Sequence, residues 1–463
     1  MKPRSLLAEY APLAVILLAA GCGGGGSGGS PASGNTSSGG TTTSSEFSLG
    51  GTVSGLGSGA KLTLQDNKNG VSASIGSNGA FTFVTRIANA SSYDVSVIGQ
   101  PVGQRCQVSQ GSGAVAGANI VNIAVSCQTA YAYVINSLYV PALAAYQYAV
   151  SQYTFDANGQ MHAAGTPDVP IDANRVYLTV DAKSANAFFA VPDKNQVLAY
   201  AIGANGQLAA RPAASVSNGS APQGVTLSPN GKFLYAFNTG DGAINRYALG
   251  ADGSLISQTA ATPVAKLQSV YGMAIDASGK HAYASDGNAN KIFQFNVADD
   301  GGLAPMATAS VAADRKPTDI LLEPTGKFAY ALNNAVGSIS LYSIGADGML
   351  APSSPATMPT ASRGTFITLS PSGDWVYTNG DNNAVLQFVI GEKGQLTPIS
   401  PGSASATPTS ASMVFDASGL FAYVATGADK SITQYEVSGN GQLTKLGSIA
   451  TPGQPTQIVL IYR

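Results

Sequence analysis

The 463-residue chain carries 23 Lys and Arg against 25 Asp and Glu, a net charge of −2, with 10% charged and 44% hydrophobic residues. That length accommodates several cores, while the absence of a basic stripe able to neutralise phosphates excludes nucleic acid as a partner. Two histidines and three cysteines, with no pair spaced for zinc on one strand or helix, predict neither a metal nor a cofactor.

In chain order, Lys2 and Arg4 precede a ten-residue apolar run from Ala11 to Ala20, too short to span a bilayer as a mature helix, and small residues then lead to Gly21-Cys22. The segment 1–22 resembles a bacterial lipoprotein signal. That resemblance implies lipidation at Cys22, and Gly23 is not the Asp that retains such proteins at the inner membrane. It therefore implies an outer-membrane lipoprotein of the bacterial envelope, facing the periplasm or the cell surface and held to the membrane by its lipid alone. An ordinary secretory signal cleaved nearby is the alternative. Residues 23–45 are almost wholly Gly, Ser and Thr, the composition of a flexible tether.

Residues 46–128 hold alternating runs at Gly51-Thr52-Val53, Lys61 to Leu64, Ala80 to Val84, Tyr93 to Ile98 and Ile120 to Val125, separated by turn residues. This pattern predicts a small β-sandwich. Cys106 and Cys127 both fall inside it, and in an oxidising compartment they are expected to pair, a constraint of about 3 kcal/mol in the chain-entropy model.

From residue 129 onward one unit recurs. Its anchor falls at Met161, Leu208, Leu255, Leu303, Leu350, Leu396 and Leu443, at steps of 46 to 48 residues. Such a period predicts four short strands per repeat and hence a propeller blade. In the copy around Leu321 to Leu350, an apolar inner strand meets a Pro-x-Gly turn, an alternating second strand ends at Asn333, and a third strand runs into the Asp347-Gly348 hairpin. Pro, Ser and Thr then mark a weak outer edge strand. The first repeat starts at its second strand, Ala130 to Asn136, and Gln457 to Tyr462 has inner-strand character with no hairpin after it. The C-terminal segment is therefore expected to complete the first of seven blades, in residues 129–463, and to close the ring.

The repeated Pro-Ser-Gly-Lys-Phe-x-Tyr-Ala-x-Asn followed by Ile-x-x-Tyr-x-Ile-Gly-x-Asp-Gly-x-Leu resembles the lactonase-like propellers, the family of 6-phosphogluconolactonase, and the related surface propellers built on Tyr-Val-Thr-Asn repeats. The resemblance implies a catalytic Arg-His pair on an inner strand and a Glu after the Asn ending the next strand. The matching positions here are Thr318-Asp319 and Asn334, with Thr365-Phe366 in the following blade. Around the ring, the position of the family His reads Tyr177, Gly224, Gly272, Asp319, Phe366, Ser412 and Gln457, of which Asp319 is the one acidic or basic residue.

Arg175, Arg315, Lys316 and Arg363 lie in loops entering inner strands. With Asp319, Gln457, Tyr177 and Tyr271 they are candidates for a polar mouth that takes an anionic or sugar-like ligand. The alternative is that these charges are solvated and that Asp319 pairs with one of them. His281 replaces the aromatic of the Gly-Lys-Phe motif and is expected to pack against a neighbouring blade, whereas His162 is expected to be exposed. Residues 137–149 form an apolar insertion in the first blade, either a binding element or a surface against the sandwich. The leading expectation is a binding module for a protein or glycan partner. The alternative is a lactone hydrolase with a rebuilt site containing Asp319 and Arg363.

Overall fold

The computed structural model describes residues 45–140, 145–173, 175–217, 219–256, 263–360, 363–380, 384–405 and 410–463. The signal segment, Cys22 and all of the tether but Ser45 lie outside the described residues, as do residues 141–144 of the insertion.

From residue 129 onward the described residues form seven blades, each an antiparallel meander. Blade 5 is representative, with strands Pro317–Leu322, Phe328–Asn333, Ser338–Ile344 and Leu350–Pro359 in that spatial order. The outermost strands of blades 1 and 3 are each represented by two short pieces, such as Met161–Ala163 and Val169–Ile171. In blades 4, 5 and 6 the outer strand is longer than its composition suggested. Leu303–Ala312, Leu350–Pro359 and Leu396–Ser405 each run ten residues, because a register shift follows Pro305, Pro352 and Pro398 and absorbs the missing donor.

The alternation of the second strand has a meaning other than buried against exposed. In Phe328–Asn333 every residue after Phe328 is buried, because a neighbouring blade covers each face. What alternates is size. Tyr283 of blade 4 shares a core with Ala329 and Ala331 of blade 5, and Tyr423 of blade 7 shares one with Ala132 and Val134 of blade 1. The Tyr-Ala motif thus supplies a large side chain to one interface and room for the neighbour's tyrosine at the other.

The buried tyrosine hydroxyl also needs an acceptor. Six of them, Tyr133, Tyr235, Tyr283, Tyr330, Tyr377 and Tyr423, donate to the hairpin glycine carbonyl of the next blade: Gly206, Gly301, Gly348, Gly394, Gly441 and Gly159. Blade 2 has Phe188 at this place and makes no such bond.

The Gly-Lys-Phe aromatic lies on the same glycine. A Cβ on Gly394 would fall 2.2 Å from Phe328 Cδ1, and one on Gly348 would fall 2.5 Å from His281, which packs at the blade interface as its sequence position predicts. Gly394 and the turn residue Gly326 both have positive φ, +75 and +71, but Gly326 has open space around its Cβ position. Gly326→Ala is therefore expected to cost about 1 kcal/mol in chemical denaturation. Gly394→Ala should cost a further ~1–3 kcal/mol for displacing the ring. Equal costs would show that the glycine–aromatic contact does not stabilise the ring.

Gln454–Tyr462 pairs with the first blade from Ala130↔Tyr462 to Ser137↔Gln454, and the backbones of Thr129 and Arg463 exchange two further hydrogen bonds of 2.6 and 2.9 Å. The ring is closed by the C-terminal strand.

The preceding region is the β-sandwich. One sheet has the order Gly79–Thr82, Leu49–Ser54, Ile120–Val140, Gln104–Ser109, and the other Val71–Ile75, Leu62–Asp66, Ser92–Gly99, Ser112–Ala114. Leu49, Leu62, Leu64 and Ile123 fill the space between them. Val84, read as part of a strand, lies beyond Gly79–Thr82 and is 95% exposed. The Cys106–Cys127 disulfide joins register partners on adjacent strands. Ile120–Val140 runs unbroken for 21 residues from the sandwich into blade 1, so no linker separates the two at residues 128 and 129.

Candidate functional site

The inner strands surround a cavity of about 1040 Å³. All seven positions aligned by the repeat line it: Tyr177, Gly224, Gly272, Asp319, Phe366, Ser412 and Gln457. A second set of lining residues has a structural origin that the repeat did not disclose. In blades 1, 3, 4, 5 and 7 the inner-strand register slips by one residue just before the aligned position, between Pro455 and Gln457, Pro222 and Gly224, Val270 and Gly272, Pro317 and Asp319, and Ser410 and Ser412. The skipped residues, Thr456, Gln223, Tyr271, Thr318 and Ala411, line the cavity as well. A bulge puts two residues opposite one and re-aims a side chain, so each such blade presents two channel positions.

Asp319 is the one acidic residue lining the cavity among the described residues. Its Oδ1 accepts the Ile320 amide at 2.8 Å, and no ion pair to it occurs among the described residues. Gly272 of blade 4 makes room for it, since a Cβ there would lie 2.9 Å from Asp319 Cα and 3.1 Å from Oδ1. Part of the side chain reaches the channel, but surrounding protein strips most of its hydration. Desolvation pushes its pKa up to about 7, against the smaller downward pull of the Ile320 amide.

The cations divide. Arg175, Lys316 and Arg363 line the cavity. Lys316, at φ +57, holds its ammonium 5.6 Å from the centre of the Tyr271 ring, a cation–π contact. Arg175 is exposed beside Tyr177, whose hydroxyl is raised in pKa by burial and drawn back by that guanidinium and by Gln223. Gln223 Nε2 donates to the same hydroxyl. Arg315, proposed from sequence for the mouth, is instead exposed and away from the lining, while its neighbour Lys316 lines the cavity.

Gln457 lines the cavity but is committed elsewhere. Its Oε1 accepts the Leu178 amide at 2.8 Å and its Nε2 donates to the Leu178 carbonyl at 2.9 Å, so the side chain ties the closing strand to blade 2. Asn334, at the position of the family Glu, donates to the Gly364 carbonyl at 2.7 Å. His162 is exposed and pairs with Asp156 at 3.2 Å, which places it outside the site. Tyr148, from the first-blade insertion, does line the cavity.

A closed seven-bladed ring with one desolvated carboxyl and three cations around its channel defines a propeller with a candidate site on its axis. The chain belongs to the family described as Lactonase, 7-bladed beta-propeller, which it matches over residues 142–461. Among solved structures it is similar to a periplasmic gluconolactonase from Pseudomonas aeruginosa, at 20% identity and TM-score 0.62, over 72% of this chain and 99% of that one. It is also similar to a candidate 6-phosphogluconolactonase from Bacteroides fragilis, at 21% identity and TM-score 0.60, over 72% and 98%. At such identities these structures share the fold. No curated protein matches the chain.

Proposed function

We propose that the propeller hydrolyses a sugar lactone in its axial cavity, with Asp319 as the general base. The observation that carries this reading is the position of Asp319, a carboxyl on the channel wall whose pKa is pushed up to about 7 and which can therefore exchange a proton near neutrality. Family membership and the names of the solved relatives supply the substrate class.

In this mechanism the Asp319 carboxylate takes a proton from water, and the hydroxide oxygen bonds to the lactone carbonyl carbon. Lys316 and Arg363, at the same cavity, offset the charge that develops on the carbonyl oxygen. The ring C–O bond then breaks, the departing oxygen takes the proton back from Asp319, and the open-chain aldonic acid so formed releases a proton to solvent to become the aldonate. In a pH-stat assay with glucono-1,5-lactone, the purified protein is expected to accelerate hydrolysis and Asp319→Asn to abolish the acceleration. No acceleration by the unaltered protein would overturn the proposal.

A second reading, a ligand-binding propeller without turnover, draws support from Asn334 and Gln457, whose amides are spent on backbone rather than aimed at a substrate. In either case we infer a lipid-anchored envelope protein, on the signal pattern ending at Cys22. Growth with an alkyne fatty acid is expected to label the chain, and Cys22→Ser should remove the label. Persistence of the label in that variant would locate the lipid elsewhere.

A further inference from the structure

The hairpin of Ile120–Val140 and Ala145–Phe155 outruns its own blade. The closing strand pairs only as far as Ser137↔Gln454, whereas the hairpin ladder continues through Leu138↔Gln147, Tyr139↔Tyr146 and Val140↔Ala145. The sandwich occupies the other end of the same strand. From Cys127 to Val140 the chain rises about 40 Å at about 3.3 Å per residue, so the overhang stands at the channel mouth and cannot lie against the sandwich core.

The overhang carries three tyrosines on one face. Tyr148 lines the cavity close to Tyr177. Tyr146, two residues away, projects to the same side about 7 Å further out. Tyr139 sits directly across from Tyr146, the two rings 5.3 Å apart at 62°. Tyr139 is 55% exposed and Tyr146 49%, so this pair adds little to any core. Aromatic rings at the rim of a polar cavity offer flat apolar surface to the C–H face of a sugar ring, with phenolic hydroxyls left to meet its oxygens.

We propose that Tyr139 and Tyr146 form a second sugar subsite, one ring outward from the axial cavity. The favoured ligand class is then an aldobionolactone, a lactone that carries a further pyranose ring, in preference to a monosaccharide lactone. This rests on the lactone reading for the ring bound in the cavity, while the outer subsite rests on the hairpin.

The test uses the full chain, with cellobiono-1,5-lactone and maltobiono-1,5-lactone compared against glucono-1,5-lactone. At least one disaccharide lactone is expected to show about tenfold higher kcat/KM. Tyr139→Ala/Tyr146→Ala should erase that advantage and leave glucono-1,5-lactone turnover and the melting temperature unchanged. Equal kcat/KM for all three lactones, or a loss in the variant that is the same for all three, would overturn the subsite. If no lactone is hydrolysed the catalytic reading fails, but calorimetry with cellobionate, maltobionate and gluconate still decides this one. Tighter binding of a disaccharide acid, lost in the double variant, supports the subsite, and equal or absent binding overturns it.

Discussion

Removing residues 457–463 is expected to abolish the cooperative melting of the propeller and to produce soluble aggregates on size exclusion. These seven residues contain most of the inner strand of blade 1, paired with Ala130 to Ile135. Ile458 and Ile461 are 1% and 0% exposed, in the cores that join blade 1 to blades 7 and 2 respectively. Burying two such side chains contributes about 3–6 kcal/mol on its own. The deletion also removes the Gln457 clamp on Leu178, the Arg463 guanidinium bond to the Ile202 carbonyl at 2.7 Å and the two backbone bonds between Thr129 and Arg463. The lost terms together rival the whole stability of an ordinary domain. The opened ring would expose the edge of Ile120–Val140, a long strand ready to pair with another chain. A truncated protein that remains monomeric with an unchanged melting temperature would show that closure elsewhere, such as Tyr423 to Gly159, suffices.

The ring and its fastener were legible in the sequence because each blade repeats the same packing problem and solves it with the same residues. The hairpin glycine, the aromatic over it and the tyrosine that bonds to it recur at fixed offsets, so they could be recognised without knowing what they touch. Channel chemistry was harder to read. The aligned position named Asp319 but not Gln223, Ala411 or Thr456, because a bulge that puts two residues opposite one leaves no mark on a 47-residue period. Gln457 read as a ligand group from its position, yet its amide is matched by a backbone pair of the adjacent blade that no local pattern reveals. Arg315 and Lys316 are neighbours of the same charge, and only the turn of the loop decides which one faces the axis.

Asp319 should reveal itself by a trade between activity and stability. As the base of the proposed reaction it must be ionised, so kcat is expected to rise with pH, half-maximal near 7, and level off above. Asp319→Asn removes the base and should lower kcat by about 10²–10⁴-fold at pH 8. Stability moves the other way. Desolvation raises the folded pKa above the unfolded value, so between about pH 4 and 7 the folded state holds a proton that the unfolded state has released. Folding stability from this group is therefore full below about pH 4 and declines as the pH rises through 7. The decline would reach about 4 kcal/mol for full desolvation, and about 2 kcal/mol once channel water is allowed for. Asparagine carries no charge to desolvate, so Asp319→Asn should melt a few degrees above the unaltered protein at pH 8 and converge with it near pH 4. A variant that is slower but more stable at high pH identifies a carboxylate held in place for chemistry at the expense of the fold. If Asp319→Asn instead melts lower at every pH and hydrolyses lactone at the original rate, the carboxyl is a structural acceptor for the Ile320 amide, and the base must be sought among the tyrosines and bulge residues of the same channel.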